Sequence, residues 1–322
     1  LIDIFDINLK KSLTNYLSFN TSETLKQSTK ILILYTALTF GIFVILNISN
    51  IRSFNSFNLA MTIISSGGFL PTNNFNALFE NDLNKIIFSM LMLISFFILF
   101  FKYNLLFFNK KNINYLSEDF YLLIYLLLII SFIFVFFNNE NNFLTLLFSI
   151  ISSVTNIGIS FSNISPNLSF LFIIFVIIGG SFFSTSSGLR LIKVLSLIKF
   201  SLNNLLSHSK PNQIYLNKVS LTDLNTNISD INKYFLTIII FFISLCSITI
   251  LLTISNIDFE SSFKLGILTI MNTVNSEMYN LGNFDFYNLT FFSKISLILF
   301  MIIGRVELLT IFILLKKFLF KN

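Results

Sequence analysis

Residues 53–69 read SFNSFNLAMTIISSGGF and carry the strongest structural signal in the chain. The first part, Ser53–Ser65, is rich in apolar residues, but it is shorter than the about 20 residues that a membrane-spanning helix needs. It ends in small residues and two glycines, Gly67 and Gly68, which favour a turn. An apolar run of this length is typical of a re-entrant half-helix, which enters a membrane and stops.

Two later stretches repeat this arrangement. Each is an apolar run of about 13 residues followed by a short polar stretch: residues 142–154 with 155–159, and residues 259–271 with 273–277. A longer apolar run precedes and follows each of them. A single polar stretch could equally be an ordinary loop between spanning helices, but three in matching places favour half-helices arranged around a pore.

The composition places these units in a membrane. The chain has 322 residues, of which 54% are hydrophobic and 11% charged, whereas about 25% are charged in an average soluble domain. Apolar runs such as 234–254 and 295–315 reach the length of a bilayer-spanning helix. The prediction is an all-α polytopic membrane protein with repeated helix, half-helix, helix units around a central cation pore.

Few residues are available for catalysis or for holding a metal. The chain has one cysteine, Cys246, and one histidine, His208, while zinc and haem sites and disulfide frameworks need more. No glycine motif of the phosphate-binding type is present. We therefore expect no enzyme activity, no cofactor on this chain and no nucleic-acid partner.

The charged residues predict an orientation. Lysines and arginines concentrate in one set of loops, which the positive-inside rule places in the cytoplasm. The opposite loops carry acids such as Asp82, Asp258 and Glu260, so an outer vestibule would attract cations; for any single acid, simple solvation is the favoured explanation. The expected location is the cell inner membrane, with multiple passes and cytoplasmic basic loops.

Residues 166–200 predict a broken helix. One continuous helix of this length would be about 50 Å long, and the Gly, Ser and Thr residues between Gly179 and Gly188 disfavour a helix. A seam of small residues for helix packing is the alternative. Arg305 lies inside the last apolar run and needs a partner on another element, because Glu307, two positions on, points from a different helix face.

These motifs together resemble the potassium-translocating subunits of the Trk/Ktr/HKT superfamily. Residues 65–69 are similar to the filter of that family's second repeat, and residues 154–158 to the filter of its third. Residues 179–193 resemble its intramembrane gate loop and the basic segment after it. GRVELLT, residues 304–310, is similar to the signature of the last helix and is the most specific match.

The resemblance implies a function and a set of site residues. It implies uptake of potassium, as substrate, down its electrochemical gradient through a filter of backbone carbonyls. The filter residues are Ser66, Gly67, Gly68, Asn156, Ile157, Gly158, Thr273, Val274 and Asn275. The gate residues are Gly179, Gly180, Ser184, Thr185, Ser186, Gly188 and Arg305. Two alternatives remain open: a secondary transporter with broken helices, and a truncated, non-conducting subunit.

The resemblance also predicts the organisation of the chain. Residues 24–108, 109–200 and 233–322 correspond to the second, third and fourth repeats of the family, 1–23 to a cytoplasmic N-terminal segment, and 201–232 to a cytoplasmic connector. Family members carry four repeats, so we expect the chain to be one repeat short, and Leu1 to mark a processed product or a fragment. The implied partners are a second copy of the chain, a cytoplasmic nucleotide-binding regulatory subunit and membrane lipid.

Two departures from the family pattern bear on function. Asn275 stands where the fourth filter normally has glycine, which leaves the choice between potassium and sodium open. Phe182 and Phe183 replace small residues in the gate loop, which predicts a bulkier and tighter gate.

Overall fold

The computed structural model describes most of the chain, namely residues 24–72, 78–79, 81–97, 113–137, 143–161, 168–181, 184–209, 228–274, 277–282 and 284–305. The predicted N-terminal segment, the middle of the connector, and Phe182, Phe183, Asn275 and Glu307 lie outside these residues.

Within the described residues, nearly all regular structure is helical, which confirms the predicted all-α membrane fold. The α-helices are α1 (Thr24–Ile48), α2 (Ser53–Ser65), α3 (Asp82–Met92), α4 (Ile113–Phe137), α5 (Phe143–Val154), α6 (Ser169–Ile177), α7 (Leu191–Ser209), α8 (Ile228–Ile254), α9 (Phe259–Ile270) and α10 (Phe291–Arg305). Single 3₁₀ turns lie at Leu93–Ser95 and Glu277–Tyr279. Two short strands, β1 (Ile178–Gly179) and β2 (Leu189–Arg190), pair in parallel.

The long helices carry an apolar outer surface. Segments of α4 (Asp119–Phe136) and α8 (Ile231–Ile254) are, of the described helices, long and apolar enough to cross a membrane. On α4, Leu128 is 63% and Val135 73% exposed. A water-soluble surface rarely exposes contiguous apolar side chains on this scale, so these faces are directed toward lipid.

The half-helices follow the long helices in the predicted way. α1, α4 and α8 each lead into a short helix, α2, α5 and α9. The entries to α2 and α9 share their backbone geometry, because Asn50 and Asn256 both have φ of +62°. Ser56 and Ser262 each donate a hydroxyl hydrogen bond to the carbonyl five residues earlier, at 3.0 and 3.2 Å. The two units are therefore structural repeats.

The second half-helix lies at the centre of the molecule. Every residue from Phe148 to Ile159 is buried, although the last part of this stretch is polar and non-helical. Irregular backbone at membrane depth is tolerated only inside protein or around a water-filled cavity. The fold therefore surrounds the end of α5 with the other units.

The predicted break after α6 is present. α6 ends at Ile177, and the chain regains helical structure only at Leu191. Between them, β1 and β2 pair Ile178 with Leu189 and Gly179 with Arg190. Residues 180–181 and 184–188 lie between the paired strands, and we call them the interrupting loop.

Candidate functional site

Each half-helix ends in the same left-handed turn. The first residue after α2 is Ser66, with φ of +49°; Asn156 and Asn272 occupy the corresponding left-handed positions near the ends of α5 and α9, at +62° and +51°. In all three turns, the amide of the next residue donates to the carbonyl five positions earlier, at 2.9–3.1 Å. This is the usual way in which a left-handed residue closes a helix. We name the segments that follow elbow 1 (66–69), elbow 2 (156–159) and elbow 3 (272–274).

In elbow 3, the residue that corresponds to Gly68 and Gly158 is not the one that the sequence predicts. Counted from the left-handed residue, Gly68, Gly158 and Val274 occupy the same position. The family resemblance predicts Asn275 at this position, because the sequence alone does not show that the left-handed residue is Asn272. Gly68 and Gly158 have φ of +67° and +81°, which a β-branched residue avoids; Val274 is not in this left-handed region. The backbone of elbow 3 therefore departs from that of the other two.

The three elbows meet at one place. A Cβ atom added to Gly68 would collide with the carbonyl oxygen of Ile157 and lie 2.6 Å from Val274 Cβ. A Cβ atom added to Gly158 would collide with the carbonyl oxygen of Val274 and lie 2.8 Å from Thr273 Cγ2. Glycine is thus required at both positions by backbone conformation and by space.

The meeting place presents backbone oxygen rather than side-chain charge. The carboxyl-terminal ends of the three half-helices converge there, and such ends carry partial negative charge. Among the described residues, no group of three His, Cys, Asp or Glu side chains could hold a metal ion. Rings of backbone carbonyls are the groups with which cation filters replace the hydration shell of an ion.

Asn156 connects the elbows to the broken helix. Its side chain is fully buried, and its Nδ2 donates to the carbonyl oxygens of Val176, at 3.1 Å, and Met271, at 3.4 Å. Val176 belongs to the last turn of α6, where carbonyls lose their helical partners. The same amide therefore links elbow 2, the end of α9 and the helix that leads into the interrupting loop.

The base of the interrupting loop depends on two glycines. A Cβ atom at Gly179 would collide with the carbonyl oxygen of Ser187, and Gly188 has φ of +99°. Above the base, the Gly180 amide donates to Ser186 Oγ at 3.0 Å. Ser186 Oγ lies 2.9 Å from Ser184 Oγ. The predicted gate residues other than Arg305 therefore lie in this compact, internally bonded loop or at its base.

Arg190 stabilises this loop from within, a role that the sequence did not indicate. Its Nη1 donates to the carbonyl oxygens of Ser181 (3.0 Å) and Ser186 (2.8 Å) and to Ser184 Oγ (2.9 Å). The resemblance in residues 179–193 placed Arg190 only in the basic segment after the gate loop. Its position two residues after the last glycine of the broken segment was the available signal.

The loop is also attached to the neighbouring 3₁₀ turn. The amides of Ser181 and Ser186 donate to the carbonyl oxygens of Phe96 (3.1 Å) and Ser95 (3.3 Å). Thr185 Oγ1 lies 3.4 Å from Ser66 Oγ in elbow 1. The loop therefore lies directly against one of the elbows.

Arg305 joins α10 to the end of α2 and to the interrupting loop. Its Nη2 donates to the carbonyl oxygen of Ser65, at 2.7 Å, and its Nη1 to Ser187 Oγ, at 3.3 Å. Ser65 is the last residue of α2, and Ser187 lies in the interrupting loop. Gly304 lets α10 approach closely, because a Cβ atom there would collide with the carbonyl oxygen of Ile270.

A cleft opens beside the point where elbow 1 and elbow 3 touch. Its volume is about 660 Å³, and its walls come from elbow 1, α9, elbow 3 and α10. Elbow 2 contributes none of the described residues that line it. Of the described elbow residues, the cleft therefore borders only those of elbows 1 and 3.

This fold and site define a class: polytopic helical membrane proteins in which half-helices present backbone carbonyls at a common point next to an intramembrane loop. The structure matches the crystal structure of the potassium transporter TrkH from Vibrio parahaemolyticus, with a TM-score of 0.77, 19% sequence identity, and coverage of 95% of this chain and 68% of that one. The chain therefore has the fold of a Trk-type potassium transporter.

A sequence relative agrees with this comparison. The chain is 25% identical over 316 residues to an uncharacterized cation transporter of Methanocaldococcus jannaschii. The match covers 93% of this chain and 60% of the relative, so the chain spans about three-fifths of that protein's length. No model of a known protein family matches the chain.

Proposed function

We propose that the chain forms most of the wall of a pore that takes up a monovalent cation, potassium in the first place, across the inner membrane. The observation that carries the proposal is the convergence of the elbows, where the carbonyl oxygen of Ile157 lies against Gly68 and that of Val274 against Gly158. Backbone carbonyls at such a point replace the hydration shell of an ion.

Buried polar atoms around the elbows support this proposal. Asn156 Oδ1 and Thr273 Oγ1 are buried and have no hydrogen-bond partner among the described residues. An unpaired buried oxygen is costly, and water or a cation in a pore would offset this cost. Ion passage thus accounts for a feature that a closed hydrophobic core does not explain.

The distribution of charge supports inward movement. Asp258 and Glu260 lie at the start of α9, the end of that half-helix remote from the elbows. Arg190 and Lys193 lie at the interrupting loop and the start of α7. With basic segments on the cytoplasmic side, ions enter past acidic residues and meet the loop after the filter.

We assign the interrupting loop as the gate of this pore. It lies against elbow 1 and is held by hydrogen bonds from Arg190 and Arg305. Ions cross only when these hydrogen bonds loosen. The transport step itself needs no catalytic residue, because movement follows the electrochemical gradient.

The cleft between elbow 1 and elbow 3 accommodates one more half-helix unit in this proposal. Three elbows surround an ion on three sides, and a fourth in the cleft would complete the ring. TrkH, of which the match covers 68%, is longer than the matched region. We extend the proposal to a homodimeric assembly in membrane lipid with a nucleotide-binding regulatory subunit on its cytoplasmic face.

Selectivity follows from Val274. A glycine at this position in elbow 3 would allow the backbone geometry of elbows 1 and 2, whereas valine does not. We propose that the pore prefers potassium but discriminates less against sodium than a filter with glycine in every elbow. Val274→Gly should raise the preference for rubidium over sodium.

The test is rubidium-86 uptake by bacteria that lack their own potassium uptake systems and express the protein from its full coding sequence. Uptake that is saturable and reduced by excess potassium supports the proposal. The concentrations of sodium and of potassium that halve rubidium uptake then rank the preference of the pore for these two ions. Absence of uptake by protein that is shown to be inserted in the membrane would reject cation conduction and favour a non-conducting subunit.

A further inference from the structure

The side chain of Asn156 caps α6, the helix that leads into the interrupting loop. Its Nδ2 donates to the carbonyl oxygen of Val176, at 3.1 Å, and both residues are fully buried. In a continuous helix, this carbonyl would accept from the amide four residues later, which belongs to Gly180. The Gly180 amide donates instead to Ser186 Oγ, at 3.0 Å. Asn156 therefore supplies the partner that the break after α6 takes away from Val176.

The end of α6 accordingly has two arrangements. In the one seen here, Ile178 is extended, with φ of −90° and ψ of 107°, and the Gly180 amide belongs to the loop. In the other, α6 continues by about one turn, the Gly180 amide returns to Val176, and Ser186 Oγ loses this donor. Asn156 favours the first arrangement, because a buried carbonyl without a partner is costly.

Asn156 is also part of the place where the elbows meet. It has φ of +62° in elbow 2, and the carbonyl oxygen of the next residue, Ile157, lies against Gly68 in elbow 1. An ion at this place attracts the carbonyl oxygens around it, whereas without an ion their dipoles repel one another. Because Asn156 and Ile157 are adjacent, a displacement of the Ile157 carbonyl also moves the amide that caps α6.

We propose that Asn156 is a positioning residue that couples ion occupancy of the elbows to the interrupting loop. This inference rests on the proposed function, because the ion is the ligand. An ion that holds elbow 2 in place keeps the Asn156 amide on the Val176 carbonyl, and the loop keeps the arrangement seen here. Loss of the ion removes the cap, and α6 extends into the loop. Such coupling is reciprocal, so the arrangement of the loop also sets the affinity of the elbows for the ion.

Hydrogen/deuterium exchange followed by mass spectrometry tests the coupling without a transport assay. Protein expressed from its full coding sequence and purified in an uncharged detergent is compared in potassium chloride and in N-methylglucamine chloride at equal ionic strength. The readout is the exchange of the Ser184 and Ser186 amides, which donate to the carbonyl oxygens of Ser181 and Ser95 at 3.1 and 3.3 Å. In the wild type, removal of potassium should speed their exchange by about fivefold or more, the lower end of usual coupling between sites.

Two asparagine variants identify the residue responsible. Asn156→Gly keeps the left-handed backbone and removes the amide, so the loop should exchange about fivefold or more faster in potassium and should no longer respond to potassium. If Asn156 only stabilised the fold, the response would survive. Asn272→Gly is the matched control, since Asn272 has the corresponding left-handed position but its Nδ2 donates to the Met301 carbonyl in α10, at 2.9 Å. Its loop should respond to potassium like that of the wild type.

The amides of Ile157 and Gly158 separate this inference from the proposed function. Both donate to the Ser152 carbonyl within the elbow 2 turn, at 3.1 and 3.2 Å, and they report the ion directly. If potassium slows their exchange but not that of the loop, the elbows bind the ion and the coupling is wrong. If potassium affects neither place, the elbows bind no ion, and the proposed function fails together with the coupling.

The variants decide the role of Asn156 itself. A loop response to potassium that persists in Asn156→Gly overturns this role, and so does an equal loss of the response in Asn272→Gly. Exchange of the α8 amides at the wild-type rate shows that a variant is folded. The comparison of the two salts in the wild type tests the coupling even if neither variant folds.

Discussion

Gly158→Ala is the sharpest test of the elbow geometry. Alanine at a φ of +81° costs about 1–2 kcal/mol. Its Cβ would lie 2.8 Å from Thr273 Cγ2 and 3.0 Å from the Val274 nitrogen, against about 3.5–4.0 Å for an ordinary carbon contact. The carbonyl oxygen of Val274 is closer still. Elbow 3 must therefore retreat by on the order of 1 Å, estimated from ordinary contact distances.

Such a displacement removes carbonyl oxygens from the place where the elbows meet. A misplacement of 1 Å costs well-positioned reacting groups about 10²-fold in rate. By the same reasoning, we expect the rate of rubidium-86 uptake by Gly158→Ala to fall by about tenfold or more. Uptake is normalised to the amount of protein in the membrane. Size-exclusion chromatography in detergent checks that the variant is folded.

Gly41→Ala is the matched control for this experiment. Gly41 lies within α1, and a Cβ atom there would meet no atom within 4 Å. Its uptake should equal that of the wild type. Wild-type uptake by well-folded Gly158→Ala would refute the assignment of the elbows as an ion filter, and so would an equal loss in both variants.

Three further predictions follow from the contacts around the elbows. Arg190→Gln weakens three hydrogen bonds within the interrupting loop and should raise the passive rubidium leak of proteoliposomes; a leak as low as in the wild type would remove Arg190 from gating. Asn156→Gly keeps the left-handed backbone but loses both amide hydrogen bonds, so the free energy of unfolding should fall by about 1–3 kcal/mol. The fall should appear as a lower unfolding midpoint when the protein is heated and then analysed by size-exclusion chromatography. An unchanged unfolding midpoint would contradict this role. Gly304→Val places a side chain against the Ile270 carbonyl and should reduce the yield of monodisperse protein, whereas Gly41→Val should not.

The half-helices could be predicted from sequence because their signal is local. An apolar run too short to span a bilayer, followed by small polar residues, was sufficient to place α2, α5 and α9 to within a residue. The break between α6 and α7 was predictable for the same reason, since Gly, Ser and Thr disfavour a helix wherever they cluster.

The register of elbow 3 and the role of Arg190 could not be predicted. Whether Val274 or Asn275 corresponds to Gly68 depends on the residue at which α9 ends, and a one-residue difference leaves no mark in composition. Arg190 is one of several basic residues for which the charge pattern predicts a cytoplasmic position. Its hydrogen bonds to Ser181, Ser184 and Ser186 arise only once the loop has closed around it.

The amino-acid sequence was sufficient for the class of fold, because hydropathy, run length and glycine content set local free energies that hold whatever the neighbouring elements are. Packing in three dimensions was needed to bring Gly68, Ile157 and Val274 together and to bring Arg305 to Ser65 and Ser187. These contacts join residues far apart in the chain, so their geometry depends on how whole helices pack. The carbonyl site and the hydrogen bonds of Arg305 are properties of that packing.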